Sequence, residues 1–586
     1  MFKPATISPQ PIARRTQWQP QPNPAPPPAL PGRSVRTLVF GLLGSLLLFA
    51  AFPPLDLPVL AWIAPVPWLW LVRLQRLPGR QPYLALWLAG AIHWLAMLQG
   101  IRLAHPALYA GWFALSAYLG VYLPAFIGLM RVAVHRLGLS LLVAAPIVWV
   151  GLELLRGHLI TGFSMGQLAH TQAEFPLLIQ VSDLAGGYGL SFVIMLAAAS
   201  IARMIPPPAE PVRWRAITWW PALPAAAAIG LTLGYGWWRL GQLPPGASVA
   251  AVRVALIQGS LDTVFDIKDE RIRETYYHYE SLTARATAEH PNLDLVVWPE
   301  SMFIIPERLV EEPLQVAIHE KLSTEEYRSR LTAAQADFRA LLADEAARAN
   351  VHTDQHRSQT LLLIGTTTIT HGAGPPQIYN SALLADRAGR VINRYYKTHA
   401  VMFGEYIPFA DLFPWLYQVT PLPAGLSAGK GPEVFEVAGL RMAPSVCFES
   451  VLPHLIRGQL RELRRRGTPA DVLVNVTNDG WFWGSSMLDL HFRCGVFRAV
   501  ENRTPLLVAA NTGISAWIDG AGVIRQRGPR RQPQVVFAEV RPDGRYSPYE
   551  AVGDGPAWIC AVFCLGLAAV GRWGLHGRSK PGLTPA

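Results

Sequence analysis

The 586-residue chain is 51% hydrophobic, contains 20 Trp and carries a formal charge of +11. That is too apolar and too aromatic for a purely soluble enzyme. The basic residues flank apolar stretches and form no single patch, which argues against nucleic-acid binding and fits a charge bias that orients membrane spans. The four cysteines include no C-x-x-C pair, so the sequence offers neither a zinc site nor a disulfide framework.

Residues 1–36 are rich in Pro and polar residues and include Arg14, Arg15, Arg33 and Arg36. They read as a disordered cytoplasmic N-terminus. The apolar run that follows has no small-residue cleavage site and reads as a retained first span. A helix crosses a bilayer with about 20 apolar residues. Eight stretches qualify, near 37–53, 57–72, 83–101, 107–130, 139–155, 187–203, 216–237 and 555–571. The second is short and interrupted by Pro65 and Pro67. Spans 1–7 thus occupy 37–240, span 8 occupies 555–573, and 574–586 form a cytoplasmic tail. Arg73, Arg76, Arg80, Arg131, Arg136, Arg203, Arg213, Arg215, Arg572, Arg578 and Lys580 then all fall on the cytoplasmic side. The segment 247–548 is placed outside the cytoplasm. In the fifth span Glu153 and Arg156 lie one helical turn apart, spaced to pair. They read either as a contact for a head group or lipoprotein, or as a structural tie. His93 in the third span reads as an interhelical donor.

Short Val-, Ile- and Leu-rich runs recur in 247–548: Val252–Gln258, Leu293–Trp298, Leu361–Thr367, Asn380–Ala385, Val391–Tyr396, Arg441–Val446, Asp471–Val476, Pro505–Ala510 and Ile514–Asp519. They read as buried strands. Leu331, Ala334, Phe338, Leu341 and Leu342 recur at helical spacing within 321–349. Gly389-Arg390 and Gly520-Ala-Gly522 mark hairpin turns. An α/β domain of layered sheets and helices follows.

Three strand ends of that domain finish in chemistry-bearing residues: Glu300 after Trp298-Pro299, Lys397 after Tyr396, and Cys447 after Ser445-Val446. A thiol needs help to become a good nucleophile. Glu300 can take its proton, and Lys397 can stabilise thiolate and oxyanion beside the backbone N–H groups that follow Cys447. Each residue alone has an ordinary structural reading; the three together favour a site. Glu405 and Glu449 can orient the Lys, share proton transfer or form structural salt bridges. His399 and His491 have no spacing that favours a Cys–His dyad.

The motifs W-P-E-S (298–301), Y-Y-K-T-H (395–399), F-G-E-Y-I-P (403–408), S-V-C-F-E (445–449), N-V-T-N-D-G-W-F (475–482) and N-T-G-I-S (511–515) resemble the nitrilase, or carbon–nitrogen hydrolase, superfamily. W-V-G-L-E-L-L-R-G (149–157), T-G-F (161–163) and G-G-Y-G-L-S-F (186–192) resemble its membrane-bound branch, the apolipoprotein N-acyltransferase family. The resemblance implies a nitrilase-like αββα sandwich on an eight-helix base, facing the periplasm from a bacterial inner membrane. It implies a Glu300–Lys397–Cys447 triad with Glu405 and Glu449 as supporting acids; beside it, Phe448 is expected to support the thiol, and Trp481 and, in their functional reading, Glu153 and Arg156 are expected to face substrate. The implied reaction moves the sn-1 acyl chain of a phospholipid, typically phosphatidylethanolamine, through a cysteine thioester to the amine of a diacylglyceryl-cysteine on an apolipoprotein. It needs no metal or other cofactor. The chain departs from the family at Phe448, where Tyr is common, at Met402, where Pro is usual, and at an extra Trp483. An aromatic expected after Gln258-Gly259 has only Phe265 as a stand-in. Residues 306–357 are long for the family and are expected to form an arm over the site. The competing readings are a membrane-tethered amidase whose acyl-enzyme is resolved by water, a catalytically silent lipoprotein-binding scaffold and, last, a transporter.

Overall fold

The computed structural model describes residues 34–205, 218–263, 269–316, 322–352, 359–410, 412, 413, 415, 417 and 425–576. The N-terminal stretch up to 33, Arg213, Arg215, Phe265 and the tail beyond 576 lie outside the described residues.

The first part is helical: α1 (Ser34–Ala51), α2 (Val66–Arg73), α3 (Pro82–Met97), α4 (Leu108–Gly120), α5 (Tyr122–His135), α6 (Leu141–His158), the short α7 (Pro176–Ile179) and α8 (Ser182–Ala185), α9 (Gly187–Met204) and α10 (Ala222–Leu240). Among the described residues, four stretches are long and apolar enough to cross a membrane: Leu108–His135, Leu141–His158, Gly187–Met204 and Gly555–Arg572. Helices also stand at the other four predicted places, but they fall short. Val35–Ala51, Pro58–Arg73 and Pro82–Met97 are shorter, and α10 is diluted by Gly, Tyr, Trp and Arg239. The helices pack through small residues. A Cβ on Gly151 of α6 would lie 2.6 Å from the Cys560 carbonyl of the last helix, and one on Gly90 of α3 would lie 2.6 Å from the Gly120 carbonyl. His93 Nδ1 donates to the Ser45 carbonyl at 3.1 Å, joining α3 to α1.

The second part is the sandwich. In chain order it contains β1 (Val252–Gln258), α11 (Asp269–Glu289), β2 (Leu295–Val297), β3 (Glu307–Val310), α12 (Thr324–Ala349), β4 (Leu361–His371), β5 (Gln377–Ala385), β6 (Val391–Tyr396), β7 (Phe435–Val437), β8 (Leu440–Val446), α13 (Pro453–Arg465), β9 (Val472–Thr477), α14 (Met487–Asn502), β10 (Leu506–Ala510), β11 (Ala516–Ile518), β12 (Ile524–Arg527) and β13 (Gln534–Val540). The chain then leaves through α15 (Pro548–Val552) into α16 (Gly555–His576). One sheet runs β13-β1-β2-β4-β5-β6 with β3 beside β4; the other runs β12-β11-β10-β9-β8-β7.

Strand periodicity assigns the layers. Val252, Val254 and Leu256 of β1 face inward and pack with Val472, Val474 and Val476 of β9 between the sheets. Ala255 and Ile257 point the other way, onto Tyr276, Tyr279 and Leu282 of α11. Leu473 of β9 instead meets Ile456 and Leu460 of α13 and Phe497 of α14, in a core continuous with Met165, Leu168 and Ile179 of the helical part. The layering is αββα, and the outer helical layer of the second sheet rests on the apolar helices. Every residue of α14 is buried for that reason.

A charged hub crosses this seam. Asp183 of α8, fully buried, accepts from Arg239 Nε of α10 and Arg503 Nε at 2.8 Å each and from Tyr235 at 2.7 Å.

The expected arm at 306–357 is corrected. β3 extends the first sheet alongside β4, and α12 begins on a Ser323–Glu326 capping box. Its buried apolar and aromatic positions, Tyr327, Leu331, Phe338, Leu342, Ala346 and Ala349, recur every three to four residues or multiples of that spacing. Phe338 meets Phe303 at 5.4 Å in the layer shared with α11. The insertion therefore covers the outer face of a sheet, where its apolar stripe can be buried. Residues 317–321 and 353–358 lie outside the described residues.

Candidate active site

The three strand-end residues meet where β2, β6 and β8 finish. Glu300 follows β2 in a turn pressed against β4, where only a glycine fits: a Cβ on Gly365 would lie 2.5 Å from the Glu300 Cα. Lys397 directly follows β6, and its N–H donates to the Asn380 carbonyl of β5 at 2.9 Å. Cys447 follows β8 and opens a 3-10 turn, Cys447–Val451, with φ at 54°. That left-handed conformation is strained for a residue with a side chain and recurs at functional sites.

The charged groups are interlocked. Lys397 Nζ lies 2.8 Å from Glu405 Oε1 and 3.7 Å from Glu300 Oε1. Asn380 Nδ2 donates to both carboxylates, at 2.6 Å to Glu300 Oε1 and 3.0 Å to Glu405 Oε1. The remaining oxygens are held by backbone: Asn478 N–H on Glu300 Oε2 and Val401 N–H on Glu405 Oε2, each at 2.8 Å. Glu300 and Lys397 are buried.

Environment separates two carboxylates of one chemistry. Burial raises Glu300 above the usual carboxylate range despite Lys397, and the neighbouring Glu405 adds to the rise. Burial alone would raise Glu405 too, but Lys397 and its hydrogen-bond donors hold it below that range. Burial would lower Lys397, yet Glu405, Glu300 and Cys447 outweigh it and keep the ammonium above the usual lysine range. Burial pushes the Cys447 thiol well up, Glu300 pushes it further, and Lys397 pulls it back. The arrangement is a Lys397–Glu405 ion pair beside a Glu300 and a Cys447 thiol both held above their usual ranges, and it suits proton transfer followed by thiol attack.

Glu449 differs from Glu405, because no cation among the described residues pairs with it. It accepts from five donors: Val446 N–H at 2.7 Å, Thr398 Oγ1 at 2.7 Å, Thr398 N–H at 2.8 Å, His399 N–H at 3.2 Å and the Tyr395 hydroxyl at 2.8 Å. It is fully buried. The carboxylate ties the segment after Lys397 to the residue before Cys447.

Phe448 stacks on His399 at 6.5 Å and lies tilted to Phe163 at 6.4 Å, forming an aromatic wall beside the Cys447 turn. Trp481 is half-buried in the turn Asp479–Phe482, directly after the backbone that holds Glu300. Glu153 and Arg156 do not form the expected pair. Glu153 Oε1 accepts from Trp149 and from the Leu168 N–H at 2.9 and 2.8 Å, while Arg156 lies over the Trp94 ring at 5.0 Å. Both line one cavity with His93, Trp94 and Tyr122 in the helical part. Glu153 Oε2 and Arg156 Nε and Nη2 are buried there with no hydrogen-bond partner among the described residues. The physical reason is local: the loop after α6 supplies an N–H to Glu153, and the indole face holds the guanidinium.

Sequence reasoning missed Asn380, whose amide bridges two acids across 80 and 25 residues of chain and which only the pairing of β5 with β6 reveals. It also found no reason to connect His491 with Cys447. In the structure His491 Nε2 lies 3.2 Å from the Cys447 carbonyl, and Nδ1 lies 2.8 Å from Asp479.

Two family matches divide the chain along the same seam. Residues 44–200 match the family described as apolipoprotein N-acyltransferase N-terminal domain, and residues 253–547 match carbon-nitrogen hydrolase. An apolipoprotein N-acyltransferase of Rhodopirellula baltica is 31% identical, over 89% of this chain and 95% of its own length. One of Geobacter metallireducens is 33% identical over 91% and 95%. One of Vibrio vulnificus is 28% identical over 88% and 94%. A helical domain with apolar helices, a two-sheet domain with a Glu, a Lys and a Cys converging at its strand ends, and relatives that share both halves lead to one conclusion: the chain is an acyltransferase and belongs to the apolipoprotein N-acyltransferase family.

Proposed function

We propose that the enzyme transfers the sn-1 acyl chain of a phospholipid, with phosphatidylethanolamine the expected donor, to the N-terminal amine of a diacylglyceryl-cysteine on an apolipoprotein. The observation that carries this reading is the convergence of Cys447, Lys397 and Glu300, with Lys397 locked by Glu405. Glu300 takes the proton of Cys447 as sulfur attacks the ester carbonyl. Lys397 and the N–H after Cys447 hold the resulting oxyanion. The C–O bond to glycerol breaks, Glu300 returns the proton to the leaving oxygen, and a lysophospholipid departs from a thioester. The acceptor amine then attacks the thioester, gives its proton to Glu300, and the thiol is restored. Phe448 and Trp481 flank the acyl chain in this reading, and Glu153 and Arg156 serve as polar contacts toward the membrane-borne substrate. The protein sits in a bacterial inner membrane with eight spans and its sandwich in the periplasm. The family, the four long apolar helices and the arginine distribution support that placement.

The test is intact-mass analysis of purified enzyme incubated with phosphatidylethanolamine, comparing wild type with Cys447→Ala. One hydroxylamine-labile acyl adduct on wild type alone is expected, discharged by a diacylated lipopeptide to give the triacylated product. Release of free fatty acid without transfer would refute the transferase step, and no adduct with any phospholipid would refute the thioester.

A further inference from the structure

The peptide unit joining Cys447 to Phe448 is held by an unusual number of donors. Its carbonyl oxygen receives Ser450 Oγ at 3.0 Å, His491 Nε2 at 3.2 Å and Asn475 Nδ2 at 3.3 Å. His491 is buried, with Nδ1 2.8 Å from Asp479 Oδ1 and Nε2 also 3.0 Å from Ser450 Oγ. Both ring nitrogens face acceptors, a carboxylate on one side and a carbonyl on the other. A doubly protonated ring satisfies both; in the neutral Nδ1–H tautomer Nε2 would instead accept from the Ser450 hydroxyl. Burial works against that charge, but Asp479 outweighs it and raises the imidazole above its usual range.

The peptide plane links this grip to the chemistry. In a planar trans unit the Cys447 C=O and the Phe448 N–H point in opposite directions, so donors that fix the carbonyl also fix the N–H. That N–H belongs to the first residues of the turn Cys447–Val451, where N–H groups have no partner inside the helix. Hydrogen bonds to a carbonyl also polarise its peptide and strengthen the N–H as a donor.

We propose that Asp479 and His491 are positioning residues that orient and polarise the Cys447–Phe448 peptide, so that the Phe448 N–H serves as the backbone donor to the tetrahedral oxyanion. They act through the peptide bond and take no proton from the thiol. The inference rests on the thioester reading above. It places the two residues in the transition state rather than in substrate binding or thiol activation.

The experiment uses the full-length enzyme in nanodiscs of phosphatidylethanolamine, with His491→Gln and Asp479→Asn as near-isosteric variants. Three quantities are read: the single-turnover rate of acyl-enzyme formation, its dependence on donor concentration, and the rate of Cys447 alkylation by iodoacetamide. Removing an oxyanion donor outright typically costs about 10²–10³-fold. Weakening one is expected to slow acylation by about 10–100-fold at saturating donor, with the half-saturating donor concentration unchanged. Alkylation should change far less than acylation in either variant. Wild-type acylation in both variants would overturn the proposal. So would acylation and alkylation falling together, which is the signature of a collapsed nucleophile turn. An absent adduct in wild type would overturn the thioester reading itself, and this inference with it; an adduct in wild type with unchanged variants overturns the inference alone.

Discussion

Replacing Glu449 by Gln separates a brace from a proton carrier. The change keeps shape and removes one acceptor. The Gln oxygen can replace Oε1, which faces Thr398 and His399, but the amide nitrogen then faces the Val446 N–H, now 2.7 Å from Oε2. Two donors are brought face to face in a fully buried place, and each unsatisfied donor costs about 1–3 kcal/mol. The local penalty is therefore about 2–6 kcal/mol, and the remaining acceptor loses the strength that charge gave it. Relief requires Val446 to move, and Val446 precedes Cys447, the proposed nucleophile. A displacement of about 1 Å at a reacting group costs on the order of 10²-fold in rate. Acyl-enzyme formation in Glu449→Gln should thus fall by about 10²-fold, thermal stability should fall with it, and the pH dependence of the residual rate should match wild type. A variant of wild-type stability whose pH–rate profile is displaced would refute the brace and assign Glu449 to proton transfer.

Two further outcomes follow from buried charge. Burial and the neighbouring Glu280 raise Glu345 of α12 to about 8, against a usual value near 4.5. A raised folded value means that the stability it contributes is complete below about 4.5 and lost as pH rises through 8. Glu345→Gln should therefore stabilise the protein relative to wild type by more at pH 9 than at pH 6 in thermal unfolding, and an equal gap at both would contradict this. Asp183→Ala leaves Arg239 and Arg503 buried without their shared anion, a change that costs about 3–5 kcal/mol. The expected result is a lower unfolding midpoint in detergent and separation of the sandwich from its helical base by limited proteolysis; an unchanged midpoint would show that the hub does not join them.

Local pattern made much of the sandwich readable. β1 and β6 stand at the predicted residues, Val252–Gln258 and Val391–Tyr396, because their apolar runs are bounded by clear turn signals. β7 and β12 went unread for physical reasons. The first has three residues, and the second, Ile-Arg-Gln-Arg, is mostly exposed and shows no apolar alternation. The missed β13 pairs in register along β1 from nearly 300 residues away, a contact no local window contains. The apolar stripe of α12 was legible, but not which surface it covers, and that is why the predicted arm proved to be an outer layer.

The sequence alone determined the division into an apolar helical half and an α/β half, the strands that end in Glu300, Lys397 and Cys447, and the family, because hydropathy, periodicity and motif order are properties of neighbouring residues. Tertiary structure alone decided that Glu405 holds Lys397 while Glu449 joins two loops. It alone placed Glu153 and Arg156 around a cavity rather than on each other, and set His491 against the Cys447 carbonyl. These assignments depend on which buried donors and acceptors come within about 3 Å, and only strand register and layer packing bring together groups that lie tens to hundreds of residues apart in the chain.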